Sequence, residues 1–354
     1  MKQRSALFRR APCLISYWDD DGDLIFDNYA TGSRVNADPL TAHILHFFDR
    51  WRSLEELADR LDDYTPASLR IAVGVLERHG LLQRSTASED ARTRAMTAWA
   101  PWNPAAGFFH ASTKDVRFSP ARVVNRQLRR KAKRSLLPAR FKRIANARRL
   151  RLPPAEYTGA FPEVLLSRRT WRTFSRRPLA VEDLSRLLAL TWGVQGAIEL
   201  RGQGTLLLKT SPSGGARHPI EVYVLARAVK GIPRGLYHYA PDRHELELVR
   251  LGATSRQIVR YVPTQSYYGS AAALMLMTAV FERTRWKYEF PRAYRVVLAE
   301  AGHLCQTFCL TATWLGLAPF CTMALADSRI EKDLRIDGVS ESVLYAAGVG
   351  ARPR

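Results

Sequence analysis

Cysteine is scarce in this chain. Its 354 residues hold four, Cys13, Cys305, Cys309 and Cys321, and no two form a C-x-x-C pair. That excludes a disulfide-stapled scaffold. Cys305 and Cys309 are spaced for one helix face, but no His or Cys completes a metal quartet, so reduced core thiols and no metal are expected. The first residues lack an apolar run followed by small residues, and no apolar stretch reaches membrane-spanning length. These absences predict a cytoplasmic protein that makes no membrane contact. Internal repeats and low-complexity segments are missing too. Acidic residues are outnumbered, 33 against 54 Lys and Arg, and none lies between Asp115 and Glu156. The net charge of +21 attracts some polyanion without choosing among nucleic acid, a phosphorylated cofactor, an acidic peptide or a membrane surface.

What is present reads as three stretches. Residues 1–85 carry "LISYWDDDGDLIFDNYA", two short strands around an Asp-rich turn, followed by three helical patterns. Ser53 with Glu56 forms a capping-box signature, and Thr65-Pro66 opens the last helix, which stops at Gly80. The order suggests a small winged-helix-like domain. Its last helix offers only Arg70 and Arg78 as basic residues, with Glu77 between them, a poor set for reading DNA. Docking of a peptide or a partner enzyme is the expectation, and nucleic-acid binding the alternative. Residues 86–158 read as a basic helical linker, with an apolar seam at Leu128, Leu136, Leu137, Phe141 and Ile144 and a boundary near 152–159. Residues 159–354 alternate helices and strands. In them "SAAALMLMTAVF" (270–281) reads as a buried helix. "AYRVVLAEAGHLCQTFCLTATWLGLAPF" (293–320) reads as a strand that becomes a long helix ending at Gly316, and "SVLYAAGVG" (342–350) as a buried strand.

Two segments carry binding chemistry. "SRRTWRTF" places Arg168, Arg169 and Arg172 around Thr170, guanidinium forks and a hydroxyl suited to a phosphate monoester. Taken alone, such a run is an ordinary solvated surface. "SPSGGARHPIE" places Pro212, Ser213, Gly214 and Gly215 in a side-chain-poor loop before a strand, with Arg217 following. Bare backbone there lets a flat ring approach exposed N–H groups. No GKS or GKT follows, and the glycines precede the strand, so neither the P-loop nor the dinucleotide fingerprint applies.

In order along the chain, "SRRTWRTF", "PSGGARHPIE", "GLYHY", the Lys287-Tyr288 pair, "AGHLCQTFCLTATWLGL" and "LYAAGVG" resemble the SagB-type, azoline-oxidase branch of the flavin nitroreductase family, over roughly residues 160–350. The resemblance implies an α+β fold, a central, mostly antiparallel sheet flanked by helices. It also implies FMN held non-covalently at the interface of a homodimer. Arg168 and Thr170 would then meet the cofactor phosphate, with Arg169 in the same segment and Arg172 toward the pyrimidine edge. Pro212, Ser213, Gly214, Gly215 and Arg217 would lie near the isoalloxazine, and Arg352 would add a phosphate contact. Members of this branch oxidise thiazoline or oxazoline rings to thiazole or oxazole in ribosomally made peptides. A cyclodehydratase partner closes those rings beforehand.

Lys287-Tyr288 matches the branch's catalytic pair. Aromatising an azoline removes a proton from Cα and a hydride from Cβ, and the hydride goes to FMN. Tyrosine is a weak base at its free pKa of ~10, but a neighbouring ammonium stabilises a phenolate. Either residue suits the role of base. Adjacent strand residues face opposite ways, so both reach one substrate only if the backbone turns here, and Pro291 suits a loop. Three other readings compete. Two keep the fold: a different FMN-dependent dehydrogenation, and NAD(P)H-dependent nitro or quinone reduction. The third is a winged-helix nucleic-acid-binding protein without flavin.

Overall fold

A computed structural model describes residues 6–134, 158–200 and 204–353. Leu136, Leu137, Phe141 and Ile144 of the expected apolar seam, and most of the 152–159 boundary, lie outside the described residues.

The chain opens with β1 (Leu7–Arg10), then an antiparallel meander of β2 (Leu14–Trp18), β3 (Leu24–Asn28) and β4 (Ser33–Ala37). Next come α1 (Pro39–Phe47), β5 (Arg52–Ser53), α2 (Leu54–Arg60), α3 (Pro66–Arg78) and β6 (Leu82–Arg84). Strand β1 pairs antiparallel with β5 on one side and β6 on the other. The local signals act as read. The Ser53 hydroxyl accepts from Glu56 N while the Glu56 carboxylate accepts from Ser53 N, and Thr65 caps α3. Phe8, Ile44, Leu45, Phe48, Leu57, Leu69, Val73 and Leu76 form a separate small core.

Residues 91–134 hold three α-helices: α4 (Ala91–Thr97), α5 (Asn103–Ser112) and α6 (Ala121–Arg134). The first two are built into the body of the protein. Trp99 and Trp102 are fully buried and share the main core with Phe281 and Tyr294. Helix α6 is densely basic, and the side chains described on it are exposed apart from a half-buried Val123.

The remaining elements are α7 (Ala160–Ser167), α8 (Val181–Trp192), a hairpin of β7 (Gly196–Leu200) and β8 (Gly204–Leu208), β9 (Ile220–Ala226), β10 (Gly235–Ala240), β11 (Glu245–Leu251), α9 (Ser255–Tyr261), β12 (Ala273–Val280), α10 (Phe281–Arg285), α11 (Ala293–Trp314), β13 (Leu317–Thr322), α12 (Asp327–Leu334) and β14 (Glu341–Ala351). Six of the strands form one antiparallel sheet, in the order β11-β10-β9-β12-β14-β13. Side chains alternate across it. Ala273, Met275, Met277 and Ala279 face one core with α8 and α11, whereas Leu274 and Leu276 face the other with α9 and α12. The architecture is α+β, a sheet covered by helices on both faces.

Two expectations are corrected here. Residues 273–280 are a central strand, not a helix. Strand β12 is paired on both edges and covered on both faces, so nearly every position is apolar and the period-two alternation vanishes. The long segment does not open as a strand either. Helix α11 starts at Ala293, and its buried residues Ala293, Tyr294, Val297, Ala301, Leu304, Cys305 and Phe308 follow helical spacing from the first turn. Its β-branched Val296 and Val297 mimic strand composition, and packing overrides them. Among the described residues no helix is long and apolar enough to cross a membrane.

Candidate active site

The loop between β8 and β9 lies along one face of α11. The Ser211 hydroxyl bonds the Thr307 hydroxyl at 2.7 Å, and the His303 ring approaches the Pro212 carbonyl at 3.4 Å. Val296 stands against Gly214. Positions 296, 300, 303 and 307 recur at three- and four-residue intervals, so one helical stripe supports the whole loop. The loop itself is tightly turned. Gly215, Ala216 and His218 have φ of 60, 54 and 45°, and two of the three are not glycine. Such strain persists where surrounding contacts over-determine the backbone. Here the Ser213 hydroxyl accepts from His218 N at 2.8 Å, and the Arg217 Nε donates to the Gly215 carbonyl at 3.1 Å.

Lys287 and Tyr288 follow α10 in an irregular turn, with both backbone N–H groups directed to the Thr284 carbonyl. The turn removes the strand constraint, and both side chains converge on Gly215. A Cβ at that position would stand 2.5 Å from Tyr288 Oη and 2.9 Å from Lys287 Nζ. The Lys287 ammonium lies 5.7 Å from the centroid of the Tyr288 ring. Trp286, exposed, is covered on one side by the Arg217 guanidinium at 5.2 Å. Residues about seventy positions apart in sequence thus form one wall.

Behind this wall sits Glu300, 3% exposed, with its Oε2 lacking a partner. Burial pushes its carboxyl up to about 7, against the Ser213 hydroxyl, Lys209 and the Gly214 N–H, which pull it down. His218 Nε2 bonds the Leu207 carbonyl at 2.9 Å, so that nitrogen carries the proton, and Nδ1 faces Glu300 Oε1 at 3.9 Å. Burial and the nearby Lys209, Arg283 and Arg217 hold His218 below its ordinary range. A cavity of about 630 Å³ opens beside the loop, lined by Lys209, Arg217, His218, Glu221, Arg283 and Trp286 among others. His238 bridges Glu221 and Glu247 at 2.8 and 2.9 Å, and these carboxylates raise its pKa.

The arginine segment lies elsewhere, as a strap along the sheet edge. Trp171 N donates to the Pro319 carbonyl and Ser175 N to the Ala351 carbonyl, both at 2.9 Å. Arg168 is half-buried, and its charge acts on Cys309 and Cys321. Arg172 is exposed, 6.0 Å from the Tyr267 ring. Thr170 is exposed beside it. Arg169 donates to the Leu166 and Arg168 carbonyls, both at 2.8 Å. Arg352 joins the strap: its guanidinium covers Trp171 at 5.6 Å and donates to the Leu317 and Thr313 carbonyls. Among the described residues no carboxylate pairs with Arg168, Arg169, Arg172 or Arg352. The strap meets α11 at Thr313, about 9 Å along the helix from Thr307 at the start of the glycine loop and about 25 Å from Val296 beside Gly214, at ~1.5 Å per residue.

Several site residues escaped the sequence reading. Glu300, His218 and Lys209 were not singled out, although the polar stripe at 300, 303 and 307 was a usable signal. Cys321 was not associated with Cys305 and Cys309, yet the three sulfurs lie within 4.8 Å of one another. Only the pairing of β13 with β14 beside α11 brings them together. Hydrogen bonds from the other two thiols and from Tyr345 hold Cys321 low, whereas Cys305 and Cys309 are raised.

Comparison with known proteins agrees with this architecture. Residues 165–351 match the Nitroreductase family. The trifolitoxin-processing protein TfxB of Rhizobium leguminosarum bv. trifolii is 27% identical over 344 residues, 90% of this chain and 91% of that protein. MJ1384 of Methanocaldococcus jannaschii, named for the nitroreductases, is 33% identical over 49% of this chain and 83% of its own length. The microcin B17-processing protein McbC of Escherichia coli is 31% identical over 36% of this chain and 48% of its own. Because the family match spans more than half of the chain and contains the sheet, the glycine loop, the Lys-Tyr turn and the arginine strap, this protein belongs to the nitroreductase family.

Proposed function

We propose that the chain is an FMN-dependent dehydrogenase that oxidises thiazoline or oxazoline rings of a ribosomally made peptide to thiazole or oxazole. The observation that carries this reading is the convergence of Lys287 and Tyr288 on the bare Cα of Gly215. A phenol and an ammonium meeting at one side-chain-free backbone position suit proton removal beside a flat ring. The Cα proton goes to Tyr288 as a phenolate stabilised by the Lys287 ammonium, or to Lys287 as a neutral amine oriented by the Tyr288 phenol.

The donor set fits FMN. Arg168, Arg172 and Arg352 present guanidinium groups without a carboxylate partner, the chemistry a phosphate monoester requires, and Thr170 adds a hydroxyl. Arg217 holds a buried Nη2 without a hydrogen-bond partner, next to the loop of Pro212, Ser213, Gly214 and Gly215. When bound, FMN supplies the hydride acceptor. Arg169, exposed and bonded through Nη1 to the Leu166 and Arg168 carbonyls, adds its charge to the same segment. The arginine strap and the Lys287-Tyr288 turn lie at opposite ends of α11 of one chain, which supports a homodimer in which one cofactor is held by residues of both copies.

A peptide substrate is supported by the likeness to TfxB, which extends over nearly the whole chain and so includes the N-terminal region. Three helices on a three-stranded sheet, with β5 and β6 as edges, suit a winged-helix-like module that docks a peptide by strand addition. The exposed basic α6 suits an acidic segment of such a peptide. A cyclodehydratase would supply the azoline.

The test combines a purified FMN-loaded protein, an azoline peptide and its cyclising enzyme. Mass spectrometry is expected to show loss of two hydrogens, about 2 Da per ring. Tyr288→Phe and Lys287→Ala are expected to retain flavin absorbance and to slow turnover roughly 100-fold or more. An FMN-loaded protein that leaves the rings unchanged but reduces a quinone with NAD(P)H would replace this reading with the reductase one.

A further inference from the structure

Residues 286–292 form the irregular stretch between α10 and α11. Within it, the Tyr288 peptide is held from two sides. Its N–H donates to the Thr284 carbonyl at 3.0 Å, a local bond. Its carbonyl accepts from the indole Nε1 of Trp102 at 2.8 Å, across 186 residues of sequence. Trp102 is fully buried and touches both ends of the stretch. Its ring lies 6.2 Å from Phe281, which opens α10, and 5.9 Å from Tyr294, in the first turn of α11. A buried indole N–H requires an acceptor, and here that acceptor is the main chain of Tyr288.

Trp102 is itself firmly placed. Asn103, with φ of 56°, turns the chain sharply into α5. His110 on α5 bonds the Tyr294 hydroxyl at 2.9 Å and the Gly338 carbonyl at 3.0 Å. Beyond α5, Lys114 pairs with Glu331 inside the body. The segment is therefore fixed to the protein at three points, and the indole is aimed by that frame.

From this geometry we propose that Trp102 is a positioning residue for Tyr288, fixing its main chain so that the phenol stays against Gly215 beside Lys287. The proposal rests on the reading of Lys287 and Tyr288 as the proton-handling pair. Trp102, buried in the core, bonds the Tyr288 carbonyl from behind, so it acts through another residue rather than on substrate.

Trp102→Phe tests it, with Trp99→Phe as control. Trp99 is an equally buried neighbour whose indole donates to the Val339 carbonyl at 3.3 Å instead. Both variants are expected to keep bound FMN and to lose some thermal stability. Only Trp102→Phe is expected to speed amide hydrogen exchange across 286–292, roughly 2- to 10-fold. Only that variant is expected to lower kcat with little change in peptide KM, and to shift the limb of the pH–rate profile that belongs to the pair. Equal effects in the two variants, or unchanged exchange in Trp102→Phe, would overturn the proposal. Should the Phe variant not fold, Trp102→Met fills the space without a donor and takes the same measurements. Tyr288→Phe run in parallel separates the two ideas. Full activity there sinks the role of the pair, whereas the exchange comparison still decides whether Trp102 holds the stretch.

Discussion

Gly215 is the position at which the smallest change should matter most. Its φ of 60° disfavours a side chain, and a methyl group would meet the Tyr288 hydroxyl and the Lys287 ammonium directly. Gly215→Ala is expected to slow ring oxidation, counted per bound flavin, roughly 10- to 100-fold by displacing the pair. Wild-type turnover in that variant would mean that the meeting of the three residues does no chemical work. The glycines, the arginines and the Lys-Tyr pair could be singled out from sequence because each belongs to an ordered set of motifs. Their grouping could not. Gly215 and Lys287 meet through the support of α11 and the turn after α10.

Among the elements, α11 does the most positioning. Its stripe of Val296, Glu300, His303 and Thr307 holds the glycine loop, and Glu300 lies at its centre. An acid whose folded pKa is raised to about 7, from 4.5, favours the folded state while protonated. Its contribution is complete below pH 4.5 and is lost as pH rises through about 7. His110, depressed to about 4 by burial, acts oppositely between its folded value and its ordinary 6.5, and it does so in variant and parent alike. Glu300→Gln should therefore gain thermal stability relative to the parent between pH 5 and pH 8, read as a difference of melting temperatures. Parallel profiles would show that Glu300 ionises freely. Elements were legible where a local signal governs them, as at the Ser53–Glu56 box and the Thr65-Pro66 start. Strand β12 was not, because burial on both faces erases the alternation that distinguishes a strand from a buried helix.

At the scale of the whole molecule, the stretch after the N-terminal module behaves as a clamp. Lys114 and Glu331 are nearly buried, with side chains 8 and 6% exposed, and pair at 2.6 Å. The same ammonium reaches the Gly338 carbonyl at 3.1 Å. Lys114→Ala would leave a buried carboxylate unpaired and is expected to cost about 3–5 kcal/mol in chemical denaturation. Adding Glu331→Gln should recover much of that loss, and failure to recover would show that packing, not charge, is at stake. By itself the sequence determined the caps, the turn residues, the α+β alternation, the excess of positive charge and the order of motifs that carry the proposed reactive groups. All of these are local or compositional properties. Only the tertiary structure decided that Trp102 grips Tyr288, that Glu300 lies under the glycine loop, that Cys321 joins Cys305 and Cys309, and that the arginine strap and the Lys-Tyr turn sit at opposite ends of α11. Each of these contacts joins elements distant along the chain, and pairwise geometry of that kind is set by how the sheet and its covering helices pack, which no local pattern of residues encodes.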